Sequence, residues 1–159
     1  IARVHGIATA AGCQLVGACD LAVASEDARF ATSGINVGLF CSTPSVPVSR
    51  NIPRKQAMEL LLTGEFIDAN TALKWGLINR ISTLDKLDEE VQKLADAILS
   101  KSSVAVFTGK KMFYEQLEKN MEDAYAFAGE IMACNMMSED VNEGIDAFVK
   151  KRTAVWKGR

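Results

Sequence analysis

The most constraining stretch of the chain is its opening, IARVHGIATAAGCQLVGACD, Ile1–Asp20. A strand at 1–5, apolar over Ile1–Val4, leads through Gly6 into the small residues Ala8-Thr9-Ala10-Ala11-Gly12, and a helical pattern follows over Ala11–Cys19. Residues this small after a strand let the backbone come close to another surface. A helix starting there also presents its first amide N–H groups without intrahelical partners, at the positive end of its dipole. From the residues alone two consequences stay open: an oxyanion or phosphate site at the helix start, or tight packing of helix on sheet.

Further along, Leu21–Ala24 reads as a buried strand, Ser25-Glu26-Asp27 as a turn and Ala28–Ala31 as a second short strand. Strand, helix, strand and strand in close succession predict α/β layering with mostly parallel strands. Ser33–Ser49, with Gly34, Gly38, Pro44 and Pro47, reads as a loop. Pro53–Thr63 is helical, with Pro53 in its first turn, Ala57, Leu60 and Leu61 on one face and Gly64 as its stop. Asp68 is placed to cap a helix over Ala69–Trp75 that ends at Gly76, and Leu77–Ile81 reads as a last strand.

From Leu84 the pattern is helical throughout: Leu87–Leu99, Val104–Leu117, Met121–Met136, and a final helix from Ser138 to about Arg152. The expected division is therefore 1–82, α/β, and 83–159, helical. The helices carry Phe107, Phe113, Tyr114, Tyr125, Phe127, Phe148 and Trp156 on more than one face. Such a surplus points to an oligomer interface, with ordinary intrachain packing as the alternative.

Composition narrows the function. A net charge of −2 with no basic stripe argues against a nucleic-acid partner. No apolar run approaches the roughly 18 residues needed to span a bilayer. Cys13, Cys19, Cys41 and Cys134 lack metal-site spacing, and only one histidine, His5, could join them. They read as buried thiols in a reducing compartment, with no metal expected. Thr108-Gly109-Lys110-Lys111 is no P-loop, and no GxGxxG is present.

The ordered segments RVHGIATAAGCQLVGACDLAVASEDARF, AMELLLTGEFIDANTALKWGLINRI and EGIDAFVKKRTAVWKG resemble the enoyl-CoA hydratase/isomerase (crotonase) superfamily. The resemblance implies a crotonase-like ββα spiral, of which this chain is the second half, followed by a C-terminal helical trimerisation region. Because the chain opens on Ile1 inside a strand, another half is expected upstream, carrying the other oxyanion-hole amide and much of the CoA site. The implied partner is an acyl-CoA thioester of fatty-acid metabolism. No cofactor beyond that thioester, no nucleic acid and no membrane are implied. The implied assembly is a homotrimer or a dimer of trimers, in the mitochondrion, with the cytoplasm as the alternative.

The same resemblance designates site residues. The backbone N–H of Ala11 falls where the superfamily has an oxyanion-hole donor, although glycines are usual at Ala10 and Ala11. The amide stays usable if φ at Ala11 is negative. The two acid–base glutamates fall on Gln14 and Gly34, neither of which can carry a proton to or from substrate. Restoring both as glutamates is expected to raise hydration more than either alone, and to fall short if the Gly34 loop and the shortened segment after Phe40 point a new side chain wrongly. A downstream aspartate of some isomerases falls near Ser42, again without a carboxylate. Phe148 and Lys151 fall on CoA-holding positions, adenine face and phosphate cation respectively; the plainer reading is that Lys150, Lys151 and Arg152 complement a helix C-terminus. Asp20 reads as structural, Glu26 and Asp27 as solvated, and His5 as a minor candidate base. Cys13 and Cys41 read as near the pocket but not activated.

Overall fold

A computed structural model describes residues 1–159, which form two compact units, Ile1–Ala95 and Asp96–Arg159. The first unit opens with β1 (Ala2–Val4), β2 (Ile7–Thr9), α1 (Ala11–Ala18), β3 (Ala22–Ser25) and β4 (Arg29–Ala31). β1 pairs in parallel with β3, Ala2 opposite Ala22, while β2 pairs in parallel with β4, Thr9 opposite Ala31. The opening segment is therefore two strands in two sheets, where the sequence suggests one strand and a loop. The bend between them is tied by the Arg29 N–H donating to the Gly6 carbonyl at 3.3 Å. Ala8, a poor strand former, is held in β2 because it is buried, 6% exposed.

β3 and β4 split in the same way, so each ββα turn gives one strand to each sheet. The first sheet is completed in parallel by β6 (Arg80–Ser82), in the order β1-β3-β6. The second is completed by the antiparallel β5 (Ile67–Asp68), in the order β2-β4-β5. The apolar residues expected to begin the last strand, Leu77 and Ile78, are instead buried in the turn before β6. Their hydrophobicity serves the core, not pairing.

The segment expected to be a loop is largely helical. A 3-10 turn spans Ser33–Val37, and α2 spans Ser42–Asn51 with both prolines inside it. Pro44 lies in the first turn, where its missing N–H has no intrahelical acceptor to lose. Pro47 is seated by packing: a Cβ on Gly17 of α1 would already lie 3.3 Å from the Pro47 backbone. Val48 is fully buried, and the Asn51 side chain donates to the Gly17 carbonyl at 2.7 Å. Tertiary contact here overrides local propensity.

α3 (Arg54–Thr63) starts one residue later than expected, with Pro53 as its N-cap, and buries Ala57, Leu60 and Leu61. α4 (Ala69–Trp75) is capped as expected, Asp68 accepting the Thr71 N–H at 2.7 Å. Gly64 and Gly76 close these helices. The core gathers Val4, Cys13, Val16, Phe30, Val48 and Leu60. The sequence of α1 suggests that Leu15 and Val16 both face inward; Val16 is buried, but Leu15 is 69% exposed. With Ile7 it lines a groove of about 470 Å³ along β1, β2 and α1, so the outer side of the edge strand β1 is left open.

α5 (Leu87–Leu99) spans the division between the units. The second unit continues with α6 (Ser103–Gln116), α7 (Met121–Met136) and α8 (Glu139–Val149), capped by the side chains of Ser102, Asn120 and Ser138. Neither α6 nor α7 buries a residue, and Phe107 and Tyr125 are both more than two-thirds exposed. No helix is long and apolar enough to cross a membrane.

Candidate functional site

At the start of α1, Ala10 is the N-cap with φ 48° and ψ −114°. That region is nearly reserved for glycine, and an alanine held there stores roughly 1–3 kcal/mol of strain. The turn is fixed from both sides: the Ala10 N–H donates to the Ala31 carbonyl, and its own carbonyl accepts the Gln14 N–H, each at 3.0 Å. Ala11 has no positive φ, so the strain falls one residue earlier and the condition for a usable amide is met. Ala11 is exposed and is the first residue of the helix, so its N–H has no intrahelical acceptor. Such an amide can donate to an oxyanion.

Gln14 lies half-buried in the same helix. Gly34 sits in the 3-10 turn after β4, and the chain closes over it. The Gly34 carbonyl accepts the Leu39 N–H at 3.0 Å, and its N–H donates to Cys41 Sγ at 3.3 Å. A Cβ at Gly34 would stand 2.6 Å from the Leu39 carbonyl oxygen and 2.8 Å from Cys41 Sγ. The position designated for the second carboxylate is therefore filled by the chain's own Leu39–Cys41 segment. The obstacle to a glutamate at 34 thus lies where the sequence suggests it, in the Gly34 loop and the segment around Phe40, and it begins at the first side-chain carbon. Ser42 is exposed at the start of α2 and offers only a hydroxyl.

Sequence reasoning missed one polar pair beside this turn. The hydroxyls of Thr9, at the end of β2, and Ser33, next to Gly34, hydrogen-bond at 2.7 Å. One O–H is used inside the pair, which leaves one donor and several lone pairs for a ligand; neither group titrates near neutrality. The signal was available only through register, since parallel pairing of β2 with β4 brings the two strand ends together.

The other candidates are placed plainly. Cys19 closes α1 through its N–H to the Leu15 and Val16 carbonyls, and the exposed Asp20 follows it. Glu26 and Asp27 are exposed in the turn after β3, and His5 is exposed after β1. Cys13 and Cys41 are both buried, whereas Cys19 is only half-buried at the end of α1 and Cys134 is exposed on α7, against the expectation that all four are buried. Burial first, and the neighbouring Cys41 second, push the Cys13 thiol up to about 12, so it is not a thiolate near neutrality. We predict that iodoacetamide at pH 8 spares Cys13 in the folded protein and alkylates it once denaturant has unfolded the chain. The raised value also sets a sign: the stability due to the protonated thiol is complete below about 9 and is lost as pH rises toward about 12. A Cys13→Ala variant should therefore lose less stability than the parent over that alkaline range, as denaturant midpoints would show.

In the second unit Phe148, 84% exposed, and Lys151 share the end of α8, the Lys151 N–H donating to the Phe148 carbonyl at 3.2 Å. Next to them Arg152 holds the Glu143 carboxyl down at about 2. A cleft of about 570 Å³ in this unit is lined by Ile98, Val106, Phe107, Lys111 and Tyr114 and includes none of the designated residues. No group of three His, Cys, Asp or Glu side chains converges as a metal site.

Comparison with known proteins agrees with this architecture. The family described as Enoyl-CoA hydratase/isomerase matches residues 1–159. Enoyl-CoA hydratase domain-containing protein 3, mitochondrial, of Rattus norvegicus is 50% identical over 156 residues, covering 98% of this chain and 52% of that protein. The chain thus spans about half the length of the curated relatives it matches. A crystal structure of an enoyl-CoA hydratase from Mycobacterium smegmatis superposes with a TM-score of 0.95 at 57% identity, over 97% of this chain and 60% of that one. The crystal structure of human enoyl-CoA hydratase domain-containing protein 3 gives 0.91 at 49% identity, over 95% and 60%. With two sheets fed alternately by ββα turns and a family match along its whole length, the chain belongs to the enoyl-CoA hydratase/isomerase family and has the crotonase fold.

Proposed function

We propose that this protein handles acyl-CoA thioesters in mitochondrial fatty-acid metabolism, binding the thioester carbonyl at the start of α1 and hydrating enoyl thioesters only slowly. The observation that carries this is the exposed N–H of Ala11 at the first position of α1, in a chain with no carboxylate at Gln14 in the same helix or at Gly34. The mitochondrial setting rests on the named location of the relatives. Phe148 would offer an apolar face to the adenine and Lys151 charge to the phosphates. No further cofactor is required by this scheme.

Ala11→Pro tests the site, because proline removes that N–H at a helical position where no intrahelical bond is lost, although it also strains the preceding Ala10 turn. We expect folded Ala11→Pro to lose thioester recognition and Ala11→Gly to keep it, measured as acyl-CoA affinity by calorimetry after circular dichroism has shown both folded. Equal affinities would place the carbonyl elsewhere.

A second reading, a catalytically silent CoA-thioester binder or structural subunit, is favoured by the closure over Gly34 and is separated from the first by the hydration rate. Residues 83–159 would then serve assembly as well as binding, as a homotrimer or dimer of trimers built through the uncovered faces of α6 and α7. Sedimentation of the complete protein as a clean monomer at micromolar concentration would refute that assembly.

A further inference from the structure

Three consecutive cations end α8, and the structure treats them unequally. Lys150 Nζ pairs with Asp146 at 2.8 Å. Arg152 forks onto Glu143, Nη1 to Oε1 at 2.6 Å and Nη2 to Oε2 at 2.8 Å, and also reaches Asp146 at 2.7 Å. Lys151 between them is exposed and meets no acid. Its backbone is also the exception, with φ 51°.

That φ belongs to a helix stop in which the Lys151 N–H returns to the Phe148 carbonyl and the Arg152 N–H to the Ala147 carbonyl, at 3.2 and 3.0 Å. Glycine is the usual residue at this position, because a side chain is strained there. If stopping the helix were the whole requirement, glycine would serve without strain. A lysine there, outside the ion pairs that engage both of its neighbours, leaves its ammonium open to an external anion.

We propose that Glu143 and Arg152 are positioning residues that hold Lys151 in its left-handed conformation with the ammonium free for a phosphate-bearing ligand. This rests on the CoA reading of Lys151 given above. The clamp is built on both sides of the turn. The forked pair fixes the residue after Lys151, and the same Glu143 carboxylate accepts the Val155 N–H at 2.8 Å. Beyond it the tail is pinned by the buried Asp140, which accepts the Lys157 N–H at 2.7 Å and the Gly158 N–H at 3.1 Å. Trp156 adds a hydrogen bond to the Ser100 carbonyl at 2.8 Å and packs against Gly144. A bidentate guanidinium fork of this kind sets direction as well as charge, which a lysine could not reproduce.

The test uses the complete protein and two probes: coenzyme A, and pantetheine, which lacks the nucleotide and its phosphates. Glu143→Gln and Arg152→Lys should each weaken coenzyme A binding about tenfold, as expected for mispositioning one phosphate-binding cation, and leave pantetheine binding unchanged. A general loss of structure would lower both. Lys151→Gly relieves the strained φ, so it should melt no lower than the parent while losing coenzyme A affinity at least as much. In the Lys151→Gly background, Glu143→Gln should cause no further loss, since both act through one ammonium. Undiminished coenzyme A affinity in both clamp variants, with Lys151→Gly impaired, overturns the proposal alone. Undiminished affinity in Lys151→Gly overturns the CoA reading of Lys151 together with it. An equal Glu143→Gln loss in both backgrounds also overturns the proposal, because the carboxylate then acts elsewhere.

Discussion

The complete protein is expected to hydrate a short trans-2-enoyl-CoA at least about a thousandfold more slowly than a hydratase that carries both carboxylates. Each positioned acid or base contributes about 10²–10⁴-fold, and groups that act together are not additive, so the loss approaches the larger single contribution before it approaches the product. Gln14 offers an amide with no usable basic site, and Gly34 has no side chain. What remains is the Ala11 amide with the Thr9–Ser33 hydroxyl pair. One oxyanion donor is worth about 10²–10³-fold in turnover, so a rate above that in water should survive. Loss of the enoyl-thioester absorbance at saturating substrate measures it. A rate in the ordinary range for hydratases refutes the expectation and directs attention to another base, His5 first.

The second large effect concerns rescue. Gln14→Glu should fold normally, because residue 14 is half-buried in α1. Gly34→Glu should not, since its first carbon would meet the Leu39 carbonyl at 2.6 Å, and a backbone oxygen cannot swing aside as a flexible side chain can. Overpacking of this kind costs typically about 1–3 kcal/mol, and the added carboxylate must also find solvent or a donor. The double variant is therefore expected to melt below the parent and to hydrate no faster than Gln14→Glu alone. Thermal midpoints read together with rates decide it. A double variant that melts like the parent and outpaces Gln14→Glu would show that the Leu39–Cys41 segment yields.

Much of the frame was legible because its signals are local. The Asp68 and Ser138 caps, the glycine stops and the periodic helices follow from one or two turns of sequence. The misses share a cause of the opposite kind. β2 forms because Ala8 and Thr9 find Phe30 and Ala31 beside them, and α2 survives its prolines because Gly17 receives Pro47. Leu15 is turned outward by the phase of α1, which its own apolar character does not reveal. At the site, the type of residue at 14 and 34 was readable, but the closure over Gly34 depends on a return of the chain at Leu39–Cys41 that no local pattern encodes.

The alternation of strands between two sheets has a consequence for the time course of folding. No strand of the first sheet pairs with its neighbour in the chain: Ala2 waits for Ala22, and Val23 waits for Arg80. Each ladder is parallel and closes only after an intervening loop and helix have been made and laid back. The entropy of closing those loops is spent before any pairing rewards it, which places the chain among slow, non-local folders. Helices α6, α7 and α8, held by contacts a few residues apart, can form well before the strands that precede them in the sequence. Order of appearance would then run against order of synthesis, with β1 unpaired until β3 is laid beside it and the far edge of β3 open until β6 arrives.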